Sequence, residues 1–119
     1  MKTPLRAALA ASTLLASSLA LAAPKLTASL PANGQALDAS PTEIRLTFSE
    51  HVDARGASVK LVSDKGKHWD CDRPHVDKAD PNTLAATVPV LRGGSYRARW
   101  TAVGPGGQKL HGDLNFTIK

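Results

Sequence analysis

The chain has 119 residues, with 15 Lys and Arg against 10 Asp and Glu, for a formal net charge of +5. This excess is mild and scattered, which argues against a nucleic-acid-binding protein. The single cysteine, Cys71, excludes an intramolecular disulfide, and the single methionine is Met1.

The first residues read as a leader. Met1 to Arg6 carries Lys2 and Arg6, Ala7 to Leu19 is uncharged and apolar, and Ala20-Leu21-Ala22 has the A-x-A form of a cleavage site. The apolar run is too short and too rich in alanine for a stable membrane span. Residues 1–22 are therefore expected to be a signal peptide and 23–119 one exported domain without a membrane span. Loss of Lys2 and Arg6 lowers the net charge to +3. In an oxidising compartment a lone thiol must be buried, metal-bound or exposed to oxidation.

The mature region alternates apolar and polar residues in short runs bounded by turn residues, which predicts strands. Lys25 to Leu30 is the first, ended by Pro31-Ala32-Asn33-Gly34. Ile44, Leu46 and Phe48 alternate with Arg45, Thr47 and Ser49; Val59 and Leu61 precede the turn Asp64-Lys65-Gly66. Leu84, Ala86 and Val88 follow Asp80-Pro81-Asn82. Tyr96, Ala98, Trp100 and Ala102 form the clearest run, with Arg97, Arg99 and Thr101 on the other face. Leu110, Gly112, Leu114, Phe116 and Ile118 close the chain. Helical spacing is never sustained, so the reading is all-β, a single antiparallel sandwich.

Potential metal donors concentrate in His68-Trp69-Asp70-Cys71-Asp72-Arg73-Pro74-His75, expected to be an irregular loop. His68, Cys71 and His75 offer two imidazoles and a thiolate within eight residues. A thiolate suits Cu(I), and imidazole suits copper and zinc alike. Three ligands leave a position open for transfer. Pro74 would stiffen the approach to His75, Trp69 could shield the metal, and Asp70 or Asp72 could orient an imidazole. The competing reading is a solvated loop with Cys71 buried as a small hydrophobe. His51, the pair His111 and Asp113, and the basic stripe Arg97 and Arg99 read as exposed surface. No G-x-S-x-G elbow or phosphate-binding loop is present, and Gly104-Pro105-Gly106-Gly107 reads as a turn between strands, so an enzyme is not expected.

Several segments together resemble a known family: Ala23-Pro24-Lys25-Leu26, Leu30-Pro31-Ala32-Asn33-Gly34, Leu46-Thr47-Phe48-Ser49-Glu50, Leu91 to Trp100, and Gly112-Asp113-Leu114-Asn115-Phe116. In this order they resemble the CopC family of periplasmic copper-binding, copper-resistance proteins. The resemblance implies a seven-stranded Greek-key β-sandwich of immunoglobulin-like type and a periplasmic location. It also implies a Cu(II) site built from an N-terminal histidine and an Asp-x-His pair, with the Glu of Phe-Ser-Glu nearby. Here the mature start is Ala23, the Asp-x-His region corresponds to Gly106-Gly107-Gln108, and only Glu50 remains. Some members carry a methionine-rich Cu(I) loop, which falls here at about Ser63 to Asp80. That region offers His68, Cys71 and His75 instead. The expected function is copper sequestration or transfer through those three residues, with Cu(I) ahead of Cu(II) and zinc as an alternative metal. The implied partner is a periplasmic or inner-membrane copper-handling protein. The rival is a metal-free CopC-like sandwich acting as an interaction module.

Overall fold

The computed structural model describes residues 23–71 and 74–119. The expected leader, 1–22, lies outside the described residues, as do Asp72 and Arg73. Among the described residues nine strands are present: β1 (Leu26–Leu30), β2 (Gln35–Leu37), β3 (Glu43–Phe48), β4 (Asp53–Ser63), β5 (His68–Asp70), β6 (His75–Val76), β7 (Thr83–Thr87), β8 (Gly94–Val103) and β9 (Lys109–Ile118). They form a four-stranded sheet in the order β1-β3-β7-β6 and a five-stranded sheet in the order β2-β9-β8-β4-β5. Every pairing is antiparallel except β2 with β9. Among the described residues no helix is long and apolar enough to cross a membrane.

The all-β, two-sheet expectation holds, but nine strands stand where seven were expected. Beyond the six alternating runs, β2, β5 and β6 have two or three residues each, too few for alternation to mark them. The expected irregular loop at His68 to His75 is corrected as well: both of its ends are strand fragments, and they belong to different sheets.

The core lies between the sheets. Ile44, Leu46 and Phe48 from β3 meet Val59 and Leu61 from β4, Tyr96, Ala98 and Trp100 from β8, and Leu114 and Phe116 from β9. Each fully buried large side chain contributes about 1.5–3 kcal/mol by leaving water. Phe48 and Trp100 meet edge to face with centroids 5.3 Å apart, and Tyr96 stacks on Phe116 at 5.7 Å. β7 departs from simple alternation, since Thr83, Leu84, Ala85 and Ala86 are all buried. The outward Ala85 sits between Arg45 and His75 on the adjacent strands, where two long side chains flank one methyl group.

Candidate metal centre

The donor-rich segment crosses from one sheet to the other. β5 pairs with β4 through Val62↔His68, Leu61↔Trp69 and Lys60↔Asp70. Successive side chains on a strand face opposite sides. His68 and Asp70 are therefore exposed on the outer face, while Trp69 turns inward against Tyr96, with ring centroids 5.8 Å apart. Lys67 Nζ lies 5.2 Å from the Trp69 ring centroid, so that indole is engaged in packing. Cys71 continues the ladder, its N–H donating to the Val59 carbonyl at 3.0 Å, and is buried in the core cluster. His75 begins β6 at the edge of the other sheet, opposite Ala85, and is exposed.

The three expected ligands are thus not gathered. His68 faces outward, Cys71 inward, and His75 stands on the opposite sheet. Among the described residues no group of three or more His, Cys, Asp or Glu side chains is arranged to hold a metal. Of the carboxylates expected to orient an imidazole, Asp70 is exposed beside Lys60, and Asp72 lies outside the described residues.

His68 instead borders a cavity of about 600 Å³ on the five-stranded sheet, together with Arg97, Arg99 and Asn115. Cross-strand register sets His68, Val62, Arg97 and Asn115 in one row. Arg97 Nε donates to Asn115 Oδ1 at 3.3 Å, and Arg99 Nε lies 3.6 Å from Asp113 Oδ1. His111 and Asp113 are exposed on the outer face of β9, as the alternation predicts.

His75 borders a different cavity, of about 460 Å³, and shares it with His51. The sequence reads His51 as a surface residue, with an imidazole near the family's N-terminal site as the alternative, and does not pair it with His75. They are 24 positions apart, and only the sheet topology relates them. His51 follows β3 after Ser49 and Glu50, and this end of β3 is tied to Lys25: Lys25 N–H donates to Ser49 Oγ at 2.9 Å, and Ser49 N–H to the Lys25 carbonyl at 2.8 Å. The next wall comes from β4, whose pairing with β8 shifts register between Asp53↔Val103 and Ser58↔Thr101. Such a bulge re-aims side chains; Gly56, at φ +80°, makes the turn within it, and Asp53 and Ala54 line the cavity.

The β8–β9 hairpin closes this end. Gly104 N–H donates to the Gln108 carbonyl at 2.8 Å, and Gly107 N–H to the Gly104 carbonyl at 3.0 Å. Gln108 Oε1 accepts from Gly106 N–H at 2.9 Å. A Cβ on Gly104 would lie 3.0 Å from Pro24 Cδ, so the buried Pro24 packs on the hairpin and Ala23 is exposed next to it. Among the described residues Asp53 is the one carboxylate lining the cavity. Arg55 Nη2 lies 3.1 Å from its Oδ2, and the Arg55 N–H donates to Oδ1 at 2.9 Å. The Arg55 side-chain hydrogen bond, foremost, and its backbone N–H hold this carboxyl below the usual carboxylate range.

Comparison with known proteins adds to this picture. Residues 26–119 match the family described as the CopC domain. The chain is 33% identical over 112 residues to Copper resistance protein C of Pseudomonas syringae pv. tomato, covering 89% of this chain and 88% of that protein. It is 25% identical over 91 residues to Copper transport protein CutJ of Bacillus subtilis, covering 76% of this chain but only 17% of that protein. Among solved structures, PcoC, a methionine-rich copper resistance protein from Escherichia coli, superposes with a TM-score of 0.67 at 28% identity, covering 82% of this chain and all of that one. CopC from Methylosinus trichosporium OB3b gives a TM-score of 0.74 at 23% identity, covering 81% and 93%, a likeness of fold. With a family match spanning both sheets and a relative one-third identical along nearly its full length, the chain belongs to the CopC family.

Proposed function

We propose that this chain is an exported, periplasmic copper-binding protein that sequesters copper or hands it on without catalysing a reaction. The observation that carries this reading is membership of the CopC family over 26–119, joined by imidazoles that are exposed at cavities rather than sealed in the core. Signal-peptide cleavage after Ala22 belongs to the same reading, as does the seven-stranded Greek-key sandwich of the family.

For Cu(I), the proposed ligands are His68, Cys71 and His75. Thiolate and imidazole suit this soft ion, and Zn(II) is the alternative cargo. Convergence of the three requires movement. β5 is a three-residue edge strand held by one neighbour, the kind of element that opens at low cost in free energy. Its release from β4 would free His68 from the outer face while Cys71 and His75 approach across the crossover. Competition between reduced mature protein and a chromogenic Cu(I) chelator tests this. Wild type is expected to withdraw Cu(I), and the His68→Ala/Cys71→Ser double variant to lose that ability; failure of wild type to compete removes the reading.

A second reading, the metal-free interaction module, is favoured by one observation: no three donor side chains are gathered among the described residues. It predicts negligible uptake of copper in either oxidation state and of zinc.

A further inference from the structure

We propose that the outer face of the five-stranded sheet is a docking surface for an extended, carboxylate-bearing segment of a partner protein, anchored by Arg97 with His68 as the second contact. The surface needs no metal. It goes beyond the copper-binding reading and shares only His68 with the Cu(I) ligand set.

The register gives the surface its shape. His68, Val62, Arg97 and Asn115 stand in one row on four adjacent strands. Neighbouring strands lie about 4.8 Å apart, so His68 and Arg97 rise roughly 10 Å from each other with the shorter Val62 between them. A short side chain between two longer ones leaves a trough, and the cavity of about 600 Å³ opens there, with Ser95 and Thr117 continuing its lining. That volume lies within the range of about 300–1,000 Å³ that small ligands fill, room for a few side chains. Alternate residues of an extended segment project on one side about 7 Å apart, a spacing that inward-leaning Arg97 and His68 can meet.

Charge selects the occupant. On the four-stranded sheet, Arg45 is held by two carboxylates, Glu43 and Asp77. Arg97 instead donates its Nε to the neutral Asn115 at 3.3 Å, and among the described residues no carboxylate pairs with it. A guanidinium in this state offers its terminal nitrogens to a carboxylate in fork geometry, the means by which arginines recognise acidic segments. An imidazole carries at least one donor N–H in either protonation state, so His68 can hold a second carboxylate. Outside the bulge, the outward positions of β4, β5, β8 and β9 carry Lys60, Arg97, Arg99 and Lys109 against Asp70 and Asp113. The excess favours an acidic partner. Asp64 also lines the trough, and with Asp70 and Asp113 it would repel a uniformly anionic layer of phospholipid or a nucleic acid. A protein segment can set carboxylates against Arg97 and His68 and backbone N–H groups against Asp64.

The test is an amide NMR titration of metal-free mature protein with an acetylated, amidated octapeptide of alternating glutamate and serine. Saturable shifts are expected along β5 and β8, weakening as salt is added. Arg97→Gln should weaken binding by roughly tenfold or more, as loss of a charge-assisted hydrogen bond does, and His68→Gln should weaken it as well. Arg55→Gln removes the same charge from an exposed position in the β4 bulge and should leave the affinity unchanged. Equal losses in Arg97→Gln and Arg55→Gln would mean attraction to net charge alone and overturn the proposal. So would unchanged affinity in Arg97→Gln, the absence of saturable shifts, or equal affinity for the glutamine–serine peptide. Binding to phosphatidylglycerol vesicles without binding to the peptide would make this a membrane face and also overturn it. Cu(I) competition on the same proteins separates the two readings. Arg97→Gln should keep the Cu(I) uptake of wild type, and peptide binding by a protein that takes up no copper would remove the copper reading alone.

Discussion

His68 and Cys71 lie three residues apart at one sheet edge, yet their side chains face opposite sides: His68 is exposed on the outer face, and Cys71 is packed in the core against the strand of Val59. An odd separation along an extended chain has this consequence. Joint ligation by the two residues therefore needs β5 to come away from β4. Amide exchange on the reduced protein is expected to speed up at Trp69, whose pair with Leu61 is the hydrogen-bonded one, and at Cys71, whose N–H donates to the Val59 carbonyl, when Cu(I) is added. Unaltered protection there, with Cu(I) bound, would exclude His68 from the ligand set.

Gly112 supports the largest side chain in the core. A Cβ at this position would lie 2.6 Å from Trp100 Cζ2 and 2.9 Å from Cε2, closer than atoms tolerate. Trp100 is buried and wedged against Phe48, so it has little room to retreat. Gly112→Ala should cost about 1–3 kcal/mol, the range for overpacked cores, seen as a lower urea midpoint with unchanged slope. An unchanged midpoint would mean that the indole shifts freely.

Arg45 joins β3 to the β6–β7 turn through an ion pair with Asp77, and also reaches Glu43 Oε1 at 3.0 Å. The Arg45 hydrogen bond, foremost, and the Ala79 N–H hold the Asp77 carboxyl below its usual range. A carboxylate whose pKa is lower in the folded state stabilises the fold fully above the unfolded value of about 3.9. That contribution is lost as pH falls through the folded value. Asp77→Asn should therefore be less stable than wild type at neutral pH, with the gap closing as the solution is acidified below the carboxylate range. Urea midpoints at neutral and strongly acidic pH check this; an equal gap at both would contradict it.

Much of the scaffold was legible because its long strands keep one face wet. Tyr96, Ala98, Trp100 and Ala102 are buried while Arg97, Arg99 and Thr101 are exposed, and β3 and the second half of β9 follow the same rule. β7 was legible as a strand, but its burial was not, since Ala85 is small and shielded by its position between two longer neighbours. β5 and β6 were hidden by brevity. Proximity in sequence made His68, Cys71 and His75 look like a unit; strand parity and a sheet crossover separate them. Conversely, nothing local links His51 to His75. Their shared cavity depends on the β4 bulge at Gly56 and on the hairpin at Gly104, features that no spacing rule encodes.

Export of residues 23–119 and their carriage of copper are the central proposals. Metal analysis of the protein purified from its own compartment after growth with copper, with the amino terminus sequenced in the same sample, tests both most directly. Copper bound to a chain that starts at Ala23 is expected; a correctly processed chain that carries no copper would contradict the copper-binding proposal.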